Sequence, residues 1–140
     1  MQLSRKADYG IRLLLELSLL PSGVRTSTEQ IATKQNIPST FLSKIARQLA
    51  QAGLVRAYPG LGGGLELGCD PSELTMLQAL EALEGPVAMA RCTLYPNECP
   101  RSTHCPMHVV WKRVEVNISR ELARVTFEQL AQEERKAIAG

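Results

Sequence analysis

The periodicity of the chain changes abruptly at Gly53. Before it, apolar residues recur at helical spacing. After it, Leu54-Val55-Arg56-Ala57-Tyr58 and Leu65-Glu66-Leu67 alternate on either side of the turn Pro59-Gly60-Leu61-Gly62-Gly63-Gly64. Alternation flanking a glycine-rich turn predicts a hairpin, and Gly53 stands where a left-handed C-terminal cap ends the preceding helix. Ser27 and Gln30 form a capping box. It opens a short helix over about residues 28–34, with Ile31 and Ala32 turned inward. Gln35-Asn36-Ile37-Pro38 is a turn, and a second helix follows over about 39–52 with Phe41, Leu42, Ile45 and Leu49 on one face.

Short helix, tight turn, longer helix, glycine, hairpin is the order of a winged helix-turn-helix. A helix fits the major groove, and its partner braces it on the duplex backbone. The exposed face of the second helix offers Ser39, Thr40, Ser43, Lys44, Arg47, Gln48 and Gln51. Hydroxyls near its start suit base edges; Lys44 and Arg47 suit phosphate or guanine. Thr28 at the start of the bracing helix, Arg56 in the wing, and Gly60, Gly62 and Gly63 at its tip complete the candidate DNA surface. Glycine there lets backbone amides approach phosphate or the minor groove closely.

Other elements surround this unit. A helix over about 3–20 precedes it and ends at Pro21-Ser22-Gly23. A second capping box, Thr75 with Gln78, opens a helix over about 76–84, which Gly85-Pro86 stops. Residues 86–104 read as an irregular loop, long enough to be functional. From about Pro106 to about Lys136 the pattern is one long helix. Its stripe of Trp111, Val114, Ile118, Leu122 and Val125 is more apolar length than a small monomer buries, so two-fold pairing is the expectation. The fold class is thus mostly α with a small β-wing. Residues 1–85 form a winged helix-turn-helix domain, with the helix-turn-helix over about 27–52 and the wing over about 54–68. Residues 86–105 form a cysteine-rich loop, and 106–140 a dimerisation helix.

Composition narrows the function classes. The chain has 140 residues, 44% hydrophobic and 21% charged, which suits a globular domain and excludes wholesale disorder. Residues 1–70 hold eight Lys/Arg against five Asp/Glu, a net of +3, and residues 71–140 eight against nine, a net of −1. The most apolar stretch, over 11–20, contains Arg12 and Glu16 and is too short for a membrane span. With no secretory pattern, the expected compartment is the cytoplasm. No nucleotide loop, paired catalytic carboxylates or nucleophile constellation points to an enzyme.

Cysteines in that compartment favour metal ligation over disulfides. Cys92, Cys99 and Cys105 stand at C-x6-C-x5-C, and His108 follows as C-x2-H. Their neighbours are Arg, Asn, Glu, Pro and Thr, a poor core. Soft thiolates on an adaptable loop suit an iron–sulfur cluster, zinc or copper(I). Cys105 and His108 are three apart at a helix start and can face one point. Cys69, beside Leu67, reads as a small packing residue, and His104 points away from its neighbour Cys105.

The chain resembles the bacterial iron–sulfur winged-helix transcription regulators of the IscR, NsrR and RirA type. The matching residues are Leu3-Ser4-Arg5-Lys6-Ala7-Asp8-Tyr9-Gly10-Ile11-Arg12, Ile31-Ala32, Ile37-Pro38-Ser39-Thr40-Phe41-Leu42-Ser43-Lys44-Ile45, Ala52-Gly53-Leu54-Val55, the Gly60–Gly64 turn, the three cysteines and Trp111. The resemblance implies a homodimer on a pseudo-palindromic operator in double-stranded DNA, with crossing C-terminal helices. It implies a cluster-dependent regulator, a repressor, sensing cluster supply, iron, nitric oxide or redox state. It implies three cysteine ligands and one other. His108 matches members carrying a [2Fe–2S] cluster, the favoured assignment; Asp8 matches members in which a carboxylate reaches a [4Fe–4S] cluster across the dimer. Two departures stand out. The first intercysteine gap is one residue longer than expected, and Pro59-Gly60 replaces the Arg-Gly common at the wing tip. The alternative is a zinc-stabilised DNA-binding regulator without redox sensing.

Overall fold

Ser4 opens the first helix of the computed structural model, which describes residues 2–140. Helix α1 (Arg5–Leu19) starts where the Ser4 hydroxyl accepts the Ala7 amide N–H at 3.0 Å, as an N-cap should. It buries Ala7, Leu13, Leu14 and Leu17. Full burial of such a side chain contributes about 1.5–3 kcal/mol. Gly10 lies where α1 crosses a later helix; a Cβ there would sit 2.6 Å from the δ carbons of Leu83.

Helix α2 (Thr28–Gln35) carries the expected capping box of Ser27 and Gln30. It ends at Asn36, whose left-handed φ of 55° is one that asparagine tolerates. Helix α3 (Ser39–Gln51) buries Leu42, Ile45, Ala46 and Leu49, and Gly53 follows with φ of +80°. Strands β1 (Val55–Tyr58) and β2 (Gly64–Leu67) pair antiparallel, Val55 opposite Leu67 and Tyr58 opposite Gly64. Thr26 adds a third rung on the far side of β2: its amide donates to the Leu65 carbonyl at 3.1 Å and its carbonyl accepts from Leu65 at 2.7 Å. Helix α4 (Met76–Glu84) begins with the second expected capping box, Thr75 and Gln78. α1, α3 and α4 pack on one another around one core. No helix among the described residues is long and apolar enough to cross a membrane.

Two expectations are corrected beyond α4. Residues 86–104 are not irregular throughout: they contain the single-turn helix α5 (Arg91–Leu94) and a 3₁₀ turn (Pro96–Glu98). Proline at the head of that turn suits a position whose N–H has no helical partner.

Nor is the region 106–140 one helix. Helix α6 (Pro106–Ala123) stops, and helix α7 (Phe127–Ala139) folds back onto α1. The reason is local and tertiary at once. Thr126 and Gln129 form a third capping box, which starts a new helix instead of continuing the old one. The Met76 amide donates to the Val125 carbonyl and the Phe127 amide to the Leu74 carbonyl, both at 2.9 Å. The two N-caps, Thr75 and Thr126, are thereby bridged. Phe127 and Ala131 are wholly buried, and the Arg135 guanidinium donates to the Ser18 carbonyl at 3.3 Å. α7 thus completes the winged domain.

The expected stripe changes accordingly. Val125 lies outside α6, and Val114, Ile118 and Leu122 are already half-buried in the single chain, where α6 lies against α4 and α5. The apolar residues left open on α6 are Met107, Val109, Val110, Trp111 and Val116.

Candidate functional site

α3 presents Ser39, Thr40, Ser43, Lys44, Arg47 and Gln51 to solvent, so the amphipathic pattern places the candidate reading residues on one open face. Lys44 and Arg47 take part in no ion pair among the described residues. Pro38 at the N-cap supplies no side-chain acceptor, so the first-turn amides of α3 have none from the cap. Free N-terminal amides with the positive end of the helix dipole suit a phosphate. α2 differs, since its capping box already uses such donors. The Ser43 hydroxyl donates to the Ser39 carbonyl at 2.9 Å, leaving its oxygen as an acceptor toward solvent.

Gln48 does not belong to this face. Its side-chain NH₂ donates to the Ala82 and Leu83 carbonyls, at 2.9 and 3.0 Å, and so caps the end of α4. That role is invisible to helical spacing because the partners lie 34 and 35 residues away.

The wing holds a cluster that the pattern did not reveal. The Arg25 guanidinium lies 3.5 Å from the Tyr58 ring centroid, within cation–π range. Tyr58 donates its hydroxyl to Glu66 at 2.8 Å, and Arg25 Nε is 3.8 Å from the same carboxylate. At the tip, Gly60 and Gly62 have φ of +81° and +77°. The Gly63 amide is spent inside the turn, donating to the Gly60 carbonyl at 3.1 Å. A Cβ on Gly63 would lie 2.1 Å from the Tyr58 carbonyl oxygen. Turn closure is therefore the reason for glycine at 63, and Leu61 projects fully exposed from the tip. Arg56 is exposed on β1, while Thr28 is half-buried at the start of α2.

The cysteine segment is partly assembled. His108 Nδ1 stands 3.2 Å from Cys92 Sγ, joining the first turn of α6 to α5. Cys105 is buried at the N-cap of α6. The His108 amide lowers its thiol below the ordinary range; burial opposes this, and the Met107 amide and the Arg101 charge add to the lowering. A helix N-terminus favours thiolate in this way. One soft thiol, Cys92, thus meets the His108 imidazole near a helix start, donors of a kind that iron–sulfur clusters and zinc both accept. Neither Cys99 nor Cys105 completes a site with this pair: among the described residues, no group of three or more His, Cys, Asp or Glu side chains is close enough to hold a metal ion. The donors fit in kind, and a full set requires both Cys99 and Cys105 to approach the Cys92–His108 pair. Asp8, the other candidate ligand, lies on α1 in an ion pair with Arg12 at 2.8 Å. Cys69 stands at the base of the wing, where burial, then Asp70 and Glu73, push its thiol up against the opposing charge of Arg56. A thiol so raised is a poor ligand or nucleophile.

Comparison with known proteins gives these surfaces a family. Residues 3–133 match the Rrf2 family, described as iron-dependent transcriptional regulators. The chain is 40% identical over 84 residues to the HTH-type regulator slr0846 of Synechocystis, covering 60% of this chain and 57% of that protein. The match thus spans little more than half the length of that relative. It is 30% identical over 131 residues to NsrR of Halalkalibacterium halodurans, covering 93% of this chain and 90% of that one. The solved structure of CymR, the global cysteine regulator of B. subtilis, superposes with a TM-score of 0.77 at 28% identity, covering 95% of this chain and 98% of that one. Family and relatives are transcriptional regulators, not enzymes. With a winged helix-turn-helix whose reading helix is open and a family match from residue 3 to residue 133, this chain belongs to the Rrf2 family of transcriptional regulators.

Proposed function

We propose that the protein is an iron–sulfur-dependent repressor, acting in the cytoplasm as a homodimer on a pseudo-palindromic operator. The observation that carries this reading is the approach of His108 to Cys92 at 3.2 Å beside the lowered thiol of Cys105. Cys92, Cys99, Cys105 and His108 would hold the cluster. A bound cluster supplies a redox- and ligand-sensitive centre whose presence favours one conformation of the dimer. His108 is the preferred fourth ligand because it already meets Cys92 within one chain, whereas Asp8 is paired with Arg12. Two α3 helices spaced by about 34–36 Å would enter successive major-groove turns. Ser39, Thr40 and Ser43 face base edges there. Lys44, Arg47 and Arg56 neutralise phosphates, with Thr28 bracing and the Gly60–Gly64 tip at the minor groove. Trp111 and the open valines of α6 form the dimer seam together with Val114, Ile118 and Leu122.

The test is anaerobic purification with visible spectroscopy, iron and sulfide counts, and a footprint with and without the cluster. Colour with iron and sulfide bound, lost on replacing Cys92, Cys99 or Cys105 by Ala, is the expected result. His108→Ala should bleach the spectrum and Asp8→Ala should not. A colourless protein holding zinc would replace this reading with a structural-metal regulator. A second reading has its own support. The three thiols are not gathered, and a structurally similar protein is a cysteine regulator. In that case the protein binds its operator equally well with no metal at all.

A further inference from the structure

The cysteine segment hangs on one side chain that is not among the candidate ligands. Glu115, in the middle of α6, is only 7% exposed, although Lys112, Arg113, Val116 and Asn117 around it are exposed. Its Oε1 accepts the Met89 amide N–H at 2.8 Å and the Thr93 hydroxyl, and its Oε2 faces Lys112 Nζ at 3.7 Å. The single Thr93 hydroxyl proton is shared with the Ala90 carbonyl, 2.7 Å from Oγ1. A carboxylate taken this far from water is tolerated when it is hydrogen-bonded and paired, and here Oε1 is hydrogen-bonded and Oε2 faces a cation. Burial raises the Glu115 carboxyl, but the Thr93 hydroxyl, the Met89 amide and Lys112 outweigh it and leave it below the ordinary range.

The geometry gives this carboxylate a second task. His108 and Glu115 are seven residues apart on α6, two turns along one face. Cys92 and Thr93 are adjacent on α5. The contacts His108–Cys92 and Glu115–Thr93 are therefore two rungs between the same pair of helices. The Cys92 rung is one weak contact to sulfur. The Glu115 rung is made of charge-assisted hydrogen bonds, roughly twice as strong as neutral ones. The stronger rung sets the spacing of the weaker one.

We propose that Glu115 is the positioning residue of the cysteine segment: it clamps α5 to α6 and so places Cys92 on His108. The inference builds on the reading of Cys92 and His108 as ligands only where a cluster is measured; the clamp itself is a property of the metal-free chain. The experiment is a pulse of iodoacetamide on the reduced, metal-free, full-length protein, with each cysteine followed separately by mass spectrometry. Glu115→Ala should speed alkylation of Cys92 by about tenfold, the factor that one lost hydrogen bond to a charged group represents, and leave Cys69 unchanged. Glu115→Gln keeps an oxygen acceptor and should restore most of the protection. Thr93→Val should speed it partway, and Lys112→Ala should not alter it. In reconstituted protein, Glu115→Ala should lose its colour to a chelator faster than Glu115→Gln does. An unchanged Cys92 rate in Glu115→Ala overturns the proposal. If Glu115→Ala loosens the whole fold, so that Cys69 reacts faster as well, Thr93→Val decides: no local rise at Cys92 overturns the clamp. A wild-type protein that takes up no cluster removes the iron–sulfur reading, while the alkylation rates still decide this one.

Discussion

Replacing Phe127 by Ala tests whether α7 belongs to the winged domain. Phe127 is wholly buried as the first residue of α7, in the same core as Leu13, Leu14 and Leu83. Truncation removes the ring and leaves a cavity that neighbouring helices fill only in part, which costs about 3–5 kcal/mol. Against a total stability of about 5–15 kcal/mol, that is about a fifth or more of what holds the fold. The corresponding fall in Tm is about 10–20 °C for a chain of this size. The matched control is Ile138→Ala on the same helix, where the side chain is 72% exposed and the change should stay within about 0.5 kcal/mol. Urea unfolding followed by far-UV circular dichroism, at one protein concentration throughout, reads both. A cost below about 1 kcal/mol for Phe127→Ala, or equal costs for the two variants, would mean that α7 does not pack on this core.

Thr126→Ala removes the capping oxygen at the α6–α7 break and should destabilise by about 0.5–2 kcal/mol in the same assay, with Thr126→Ser restoring most of it. The lowered Glu115 carboxyl contributes stability that is present above its unfolded pKa, near 4.3, and is lost as pH falls through its folded value; Glu115→Gln should flatten that acid limb in unfolding measured from pH 6 to pH 2. Lys44→Ala and Arg47→Ala should each reduce the slope of log K against log salt by about one if they contact phosphate, and a slope unaltered in both would remove α3 from the DNA. Ile118→Asp puts an unpaired charge at the half-buried face of α6, and sedimentation should then show monomers; a dimer of unchanged affinity would exclude this face from the seam.

Local rules carried most of the fold. The capping boxes at Ser27/Gln30 and Thr75/Gln78, the change of period at Gly53 and the Gly-Pro stop at Gly85 act through neighbours in sequence, and the elements begin and end beside them. Thr126 and Gln129 offered the same signal. The apolar spacing that runs through Leu122 and Val125 concealed it, because periodicity does not register a chain that folds back. The cysteine segment was legible only in part: the spacing suggested Cys105 and His108 facing one point, whereas among the described residues His108 meets Cys92 and no third donor joins them. Glu115 and Gln48 were out of reach. Their partners lie 22 to 35 residues away, and a polar side chain on an amphipathic helix reads as solvated until the backbone group it satisfies is known.

The return of α7 to α1 also sets an order of events during synthesis. The Ser18 carbonyl waits for an arginine made 117 residues later, and the pocket that receives Phe127 takes in Leu13 and Leu14 of α1. A translating ribosome adds roughly 5–20 residues per second. For roughly 2–11 s after α4 is made, α1 to α4 therefore exist with that face uncovered, and closing it demands one of the longest-range contacts in the chain. The nascent winged unit is most exposed to chaperones and to aggregation in this interval, and its reading helix gains a finished scaffold only after the cysteine segment has been made.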